Sequence, residues 1–231
     1  MADQIINVYD PISHILAEEP AQPGEARDLR WLPAKRPVVM TGGELTLRML
    51  DLDFNPIVKY YEAPLQMKAN NGLLIIDDFG RQQVEPQRIL NRWIVPLDRK
   101  IDFMTLNTGM KFNIPFDLLL VFATNLAPDE LVDEAFLRRI HYKIKISHPS
   151  EIEFKKIFKT VCGHTGVTFN EDAYQFLLTY MYRARHIPFS ACHPRDLVEH
   201  IINYSRYYSL PPEINEATIR FACDNYFVNE G

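Results

Sequence analysis

Apolar positions in the first half of the chain come in short runs separated by turn residues. Leu73 to Ile76 follows Asn71-Gly72 and is apolar at every position, which is how a strand buried on both faces reads. Leu118 to Ala123 (LLLVFA) is a second such run, and IINV predicts a strand ending near Val8. In HYKIKI, Ile144 and Ile146 alternate with Lys143 and Lys145, which predicts a half-buried strand. The stretch IDFMTLNTGMKFNIP alternates around Asn107-Thr108-Gly109 and predicts a β-hairpin. Between these lie helix signals. Pro86 suits a first helical position, and Ile89, Leu90, Trp93 and Ile94 form one stripe that Pro96 should end near Ile94 or Val95. Pro128 opens another helix, with Leu131, Val132, Ala135 and Phe136 on its apolar face.

From Ser150 onward the spacing is helical throughout. Ser150 and Glu153 make a capping box ahead of Phe154, Ile157, Phe158 and Val161. Asn170 can cap a helix carrying Phe176, Leu177, Tyr180 and Met181. Pro194 starts a third helix that buries Leu197, Val198, Ile201 and Ile202. Asn215 caps the last, with Ile214 placed to staple onto Ile219. Strands alternating with helices, then helices alone, predict an α/β domain over 1–147 and a small α-helical domain over 148–231. Glu18 to Arg36, rich in Pro and charge, reads as a long surface loop.

Composition narrows the class. The chain has 231 residues, 47% of them hydrophobic and 24% charged, so it can bury a real core and is not a disordered polymer. With 25 basic and 30 acidic residues the formal charge is −5, which disfavours nucleic acid as a partner. No run approaches the roughly 18 apolar residues of a membrane span, and MADQIINVYD lacks the features of a secretory signal. Three widely spaced cysteines argue for a reducing compartment, so a cytoplasmic location is expected.

Four polar spots could carry chemistry. LLIIDD ends an apolar strand in Asp77 and Asp78, at the sheet edge where open α/β folds bind ligands. Paired acids there suit a cation held against a substrate, although strand-to-turn junctions also favour Asp. LLLVFATN ends in Thr124-Asn125. Asn125 could bond a phosphate oxygen or a water, or simply serve the turn before Ala127-Pro128. Arg138-Arg139 close the Pro128 helix, where the dipole favours cations by about 0.3 to 1 kcal/mol, and adjacent arginines also suit a phosphate on a neighbouring molecule. Arg195 in CHPRDL lies in the first turn of its helix. A positive charge is disfavoured there, and either Asp196 or a bound phosphate could offset it. Cys162 with His164, and Cys192 with His193, lack zinc-ligand spacing. Tyr60-Tyr61 is better explained by packing against the sheet than by a binding role.

In order, these motifs resemble the later part of an AAA+ ATPase, from about Leu65 to Tyr208: LLIIDD its Walker B strand, FATN its sensor 1 strand, FLRR its arginine-finger helix end and HPRDL its sensor 2 helix. The hairpin ending in IPFD resembles the pre-sensor insertion of the MoxR-like branch. The implied fold is a P-loop NTPase-like three-layer sandwich, lacking its first strand and helix, followed by an α-helical lid. The resemblance implies ATP and Mg²⁺ as cofactors. It gives Asp77 the metal, Asp78 the water-polarising position where relatives carry Glu, and Asn125 the water or γ-phosphate. Arg138 or Arg139 would reach the adjacent subunit's ATP and Arg195 its own. It also implies a homo-oligomeric ring, such as a hexamer, remodelling a protein client, with Trp31 and Thr41-Gly42-Gly43 placed where such proteins often contact clients and Tyr60-Tyr61 as candidate aromatic grips. Asp is one methylene shorter than Glu, and a misplacement of about 1 Å can cost roughly 100-fold in rate.

One segment is missing from this pattern. The chain contains no GxxxxGK[ST], and TGGELT at Thr41 to Thr46 has neither the lysine nor the cradle. The first strand, P-loop and first helix look cut away, so weak or absent ATP binding and a tendency to self-associate are expected of the chain alone. A non-catalytic AAA+-like interaction module is the alternative. A receiver-like phosphoacceptor fits poorly, because its acids come early in the chain.

Overall fold

The computed structural model describes residues 4–17, 33–127, 131 and 134–227. They belong to two compact units, Met1–Lys143 and Ile144–Gly231. The predicted features at Trp31, Pro128 and Val132, and most of the Glu18 to Arg36 loop, lie outside the described residues.

The first unit is organised by a parallel sheet in the order β2 (Val38–Thr41), β5 (Leu73–Ile76), β8 (Leu119–Phe122). Val38, Leu73 and Leu119 stand in register at one end, and Thr41, Ile76 and Phe122 at the other. On one face Val39, Leu74 and Ile76 are buried with Leu120 and Phe122 packed beside them, against Ile89, Leu90 and Trp93 of helix α2 (Pro86–Arg99). The opposite face is as apolar but open: Val38, Met40, Leu119 and Val121 are 53, 64, 63 and 37% exposed, with Leu73 and Ile75 half-buried between them. Parallel sheets ordinarily have both faces covered.

A second sheet, in the order β1 (Ile5–Asn7), β4 (Tyr60–Glu62), β3 (Asp53–Asn55), and a hairpin of β6 (Ile101–Thr105) and β7 (Lys111–Pro115) complete the unit's strands. The hairpin turns at Gly109, whose φ of 83° suits a residue without a Cβ. The buried Tyr61 hydroxyl donates to Asn107 Oδ1 and accepts from the Asn107 N–H, tying the hairpin tip to the second sheet.

Two sequence expectations fail, one within this unit and one where the chain passes into the second. Helix α2 does not stop near Ile94 or Val95 but runs through Pro96 to Arg99. Pro96 lies in the last turns, where its missing N–H forfeits a single hydrogen bond and its ring is buried. Lys100, at φ 58°, then closes the helix by donating its N–H to Pro96 O at 2.9 Å. HYKIKI forms no strand among the described residues, and Ile144 and Ile146 are 86 and 91% exposed. Alternation supplies an apolar side, but a strand also needs a ladder partner, and none of the described strands pairs with it. Short helices α1 (Leu65–Lys68) and α3 (Glu134–Leu137) flank the sheet connections.

The second unit is helical: α4 (Glu151–Thr165), α5 (Glu171–Leu177, continued by a π-helical turn Leu178–Arg183), α6 (His193–Tyr207) and α7 (Glu216–Tyr226). Ser150 and Glu153 close the expected capping box, Asn170 caps through the Ala173 N–H, and Asn215 caps through the Thr218 N–H. Phe154, Phe158, Leu177, Met181, Leu197 and Ile201 form its core, with Ile214 and Ile219 buried together in it. All three cysteines are free. Among the described residues no helix is long and apolar enough to cross a membrane.

Candidate functional site

The carboxyl ends of β2, β5 and β8 lie side by side because the three strands are parallel and in register. The ladder continues past the strands. Asp77 N–H donates to Thr41 O at 2.8 Å, Ala123 N–H to Ile76 O at 2.9 Å, and Phe79 N–H to Ala123 O at 2.8 Å. Thr124 Oγ1 donates to Phe79 O at 2.7 Å and accepts the Leu126 N–H. Asp77-Asp78 and Thr124-Asn125 are thereby held at one sheet edge, with the side chains of Asp77, Asp78 and Asn125 exposed.

Asp78 is set in an unusual backbone. Its φ is 48°, a left-handed conformation that Asp tolerates better than most residues, and its N–H donates to Asp77 Oδ1 at 3.0 Å. Gly80 follows at φ 105°, where a Cβ would stand 2.6 Å from Leu126 Cδ1 and 2.7 Å from Leu131 Cδ2. The turn bearing the acids therefore favours glycine at this point for its dihedral angle, the contacts being with the movable ends of leucine side chains.

Two residues of this edge carry no mark in the sequence reading. Glu44 takes the Gly42 N–H and the Thr41 hydroxyl, each at 3.0 Å, and these donors, the Gly42 N–H first, hold its carboxyl below the usual range. Thr41 and Glu44 have the T-x-x-E spacing of a capping box, a signal that could have found the pair. Gln82 joins the first two strand ends. Its Nε2 donates to Gly42 O, Asp77 O and Asp78 O at 3.2 to 3.3 Å, while its Oε1 accepts the Gly80 N–H at 2.8 Å. Its sequence context holds no comparable signal.

The arginines are placed differently. Arg139 is docked within its own unit, with Nε and the second terminal nitrogen on the Asp98 carboxylate at 2.9 to 3.1 Å, and this contact lowers the Asp98 pKa. Arg138 beside it is exposed. In the helical unit, Arg195 lies in the first turn of α6 and is exposed, with its Nε 3.0 Å from Asp196 Oδ1. The neighbouring carboxylate raises its pKa.

This edge has the oxygen donors of a hydrated divalent cation, since Mg²⁺ keeps several waters and needs only one or two carboxylates. Among the described residues no three acidic, histidine or cysteine side chains form a closed metal cage. A triphosphate does not fit the same edge alone. The segments 42–46, 77–82 and 123–127 carry Glu44, Asp77 and Asp78 against one cation, Arg81, and hold no lysine.

Comparisons with known proteins bear on the fold. A family model described as "Domain of unknown function (DUF8689)" matches residues 150–225. No curated protein matches the chain. Among solved structures, NtrX from Brucella abortus in complex with ATP is similar at 12% identity and TM-score 0.53, over 79% of this chain and 44% of that one. The RuvB Holliday junction branch migration motor of Thermotoga maritima is similar at 13% identity and TM-score 0.52, over 83% of this chain and 54% of RuvB. A point mutant of the same RuvB gives TM-score 0.55 at 13% identity, again over 83% of this chain. The chain thus spans about half the length of these proteins. The likeness shows the fold: an α/β, P-loop NTPase-like architecture with a parallel sheet and a helical carboxyl-terminal region.

Proposed function

We propose that this chain is an AAA+ module of an oligomeric assembly that remodels a protein or protein complex, with the Asp77–Asn125 edge as its nucleotide-facing side. The observation that carries the reading is the ladder past the strand ends, which sets Asp77 and Asp78 beside Thr124 and Asn125. Walker B, sensor 1 and arginine-finger roles follow from the resemblance of LLIIDD, FATN and FLRR. The β6–β7 hairpin ahead of β8 is the feature that favours the MoxR-like branch. ATP and Mg²⁺ are the cofactors proposed for the assembly, a ring such as a hexamer its form, and the cytoplasm its place.

Within that reading the chain's own residues divide the work unevenly. Asp77 and Asp78 present exposed carboxylates for a hydrated cation, and Asn125 presents an amide able to bond water. The grip on the phosphates has no counterpart among the residues of this edge. Arg138, exposed beside the docked Arg139, is the better placed of the two to reach a neighbouring subunit; Arg195 is the proposed contact from the helical unit.

A fluorescent ATP analogue titrated with Mg²⁺ into the purified chain tests the division. No saturable binding is expected below millimolar analogue, and tight binding would overturn it. In the assembly isolated with its other components, Arg138→Ala should reduce ATP turnover while leaving the chain folded. The second reading, a non-catalytic docking module of the same fold, is favoured by the scarcity of cations at the edge. Unchanged turnover in both Asp77→Ala and Arg138→Ala assemblies would decide for it.

A further inference from the structure

At the opposite end of the parallel sheet, next to the first residues of β2 and β5, lies a cavity of about 860 Å³. Each strand spans four residues, so roughly 13 Å of sheet separates it from the acid edge. Its volume is that of a pocket for a small organic ligand.

The chemistry of the lining contrasts with the rest of the molecule. On a chain of net charge −5, its described lining holds Lys35, Arg36 and Lys68 and no carboxylate. Lys68 is already neutralised, with Nζ 2.5 Å from Glu62 Oε1 and 3.3 Å from Asp10 Oδ2. Lys35 and Arg36 are exposed, and Lys35 makes no ion pair among the described residues. Arg36 donates from one terminal nitrogen to Asn71 Oδ1 at 3.2 Å, a neutral acceptor, and no carboxylate among the described residues pairs with it. That bond occupies the Asn71 oxygen, and the Asn70 oxygen is occupied by the Asp117 N–H at 2.8 Å. Neither amide NH₂ donates to another of the described residues, so both groups remain available as donors. Val8, Met67, Ile114 and Pro115 supply apolar wall. His14 stands at the rim, its Nδ1 accepting the Asp10 N–H and its Nε2 donating to Lys68 O, each at 2.9 Å.

We propose that this cavity is a binding site for a small organic anion, a phosphate or carboxylate head on an apolar body. The head lies against Lys35, Arg36 and the Asn70 and Asn71 amides, and the body against Met67 and Ile114. Arginine's planar fork matches both heads, so the two sources share one recognition chemistry. The site is separate from the acid edge and does not depend on the function proposed for that edge.

Isothermal titration of the full chain with phenyl phosphate, phenylacetate and inorganic phosphate tests the proposal. Saturable binding of at least one aromatic anion is expected, with inorganic phosphate about tenfold weaker or more for want of the apolar body. Whichever aromatic anion binds tighter identifies the head group. Lys35→Ala with Arg36→Ala should lower the association constant about tenfold or more at an unchanged melting temperature, because both side chains are exposed. Met67→Ser should weaken the aromatic anions and leave inorganic phosphate unaffected. No saturable heat with either aromatic anion, equal affinity for inorganic phosphate, or undiminished binding by the folded double variant would each overturn it.

Discussion

Arg92 grips Asp102 with both terminal nitrogens, at 2.6 and 3.2 Å, where the carboxylate is 1% exposed. Gln66 Nε2 adds a bond to the same carboxylate at 3.0 Å and another to Leu50 O at 2.7 Å, and the Phe103 N–H donates to Asp102 Oδ1 at 2.8 Å. The cluster pins α2, the hairpin and the segment after Leu50 together. Burial works against the charge on Arg92, and the Asp102 and Asp51 carboxylates outweigh it, so its pKa is raised. Removing Asp102 leaves the partly exposed Arg92 with Asp51 and leaves the buried Gln66 Nε2 without one of its acceptors. Asp102→Ala should cost about 1 to 3 kcal/mol, read as a lowered midpoint in urea with an unchanged slope.

The fold was legible wherever a local pattern and its long-range partner agreed. Leu73 to Ile76 and the Leu118 run read as strands and pair with each other, and Ser150 with Glu153 announced a helix start that forms. HYKIKI had the alternation and lacked a ladder, a long-range condition that no window of sequence contains. The acids of the candidate edge could be found because a charged pair ending an apolar run is locally conspicuous. Gln82 could not, because its role consists of reaching the backbone carbonyls of two loops at once. Arg92 was hidden likewise: an arginine on an amphipathic helix reads as solvated until the hairpin supplies Asp102.

Two glycines fix the ends of β5, and each should resist substitution for a different reason. At Gly72 a Cβ would fall 2.1 Å from Pro37 O, the acceptor of the Leu73 N–H, so the first rung between β2 and β5 must open. At Gly80 the side chain meets movable leucine methyls, but φ 105° is itself strained for an L-residue. Each Gly→Ala change should cost at least about 1 to 3 kcal/mol. Hydrogen exchange separates them: Gly72→Ala should expose the Leu73 amide, and Gly80→Ala the Phe79 and Ala123 amides.

The open face of the parallel sheet predicts association. Val38, Met40, Leu119 and Val121 form neighbouring rungs with Leu73 and Ile75 between them, so every strand residue on this face is apolar. Contiguous apolar surface of this kind marks a contact site or an aggregation hazard. Met40→Lys with Val121→Lys should shift sedimentation velocity profiles toward the monomer. Because both side chains already face solvent, the melting temperature should stay nearly constant. A wild-type chain that sediments as a monomer at high concentration would contradict the prediction.

His193 begins α6 and should make the helical unit sensitive to mild acid. Its Nδ1 is 2.9 Å from the Tyr182 hydroxyl, and its ring packs edge-on against Tyr226 and Phe227. Burial lowers its pKa below the ordinary 6.5, an effect that Asp196 offsets only in part. Above pH 6.5 the imidazole is neutral in both states and its contribution to stability is complete. As the pH falls below 6.5 the unfolded chain takes up a proton that the folded one refuses, so stability declines until the lowered folded pKa is passed. Urea midpoints between pH 8 and 5 should therefore fall with acid in the wild type. The slope should flatten in His193→Gln, which keeps a hydrogen-bonding side chain toward Tyr182 and removes the titration; an unchanged slope would assign the acid sensitivity to other groups.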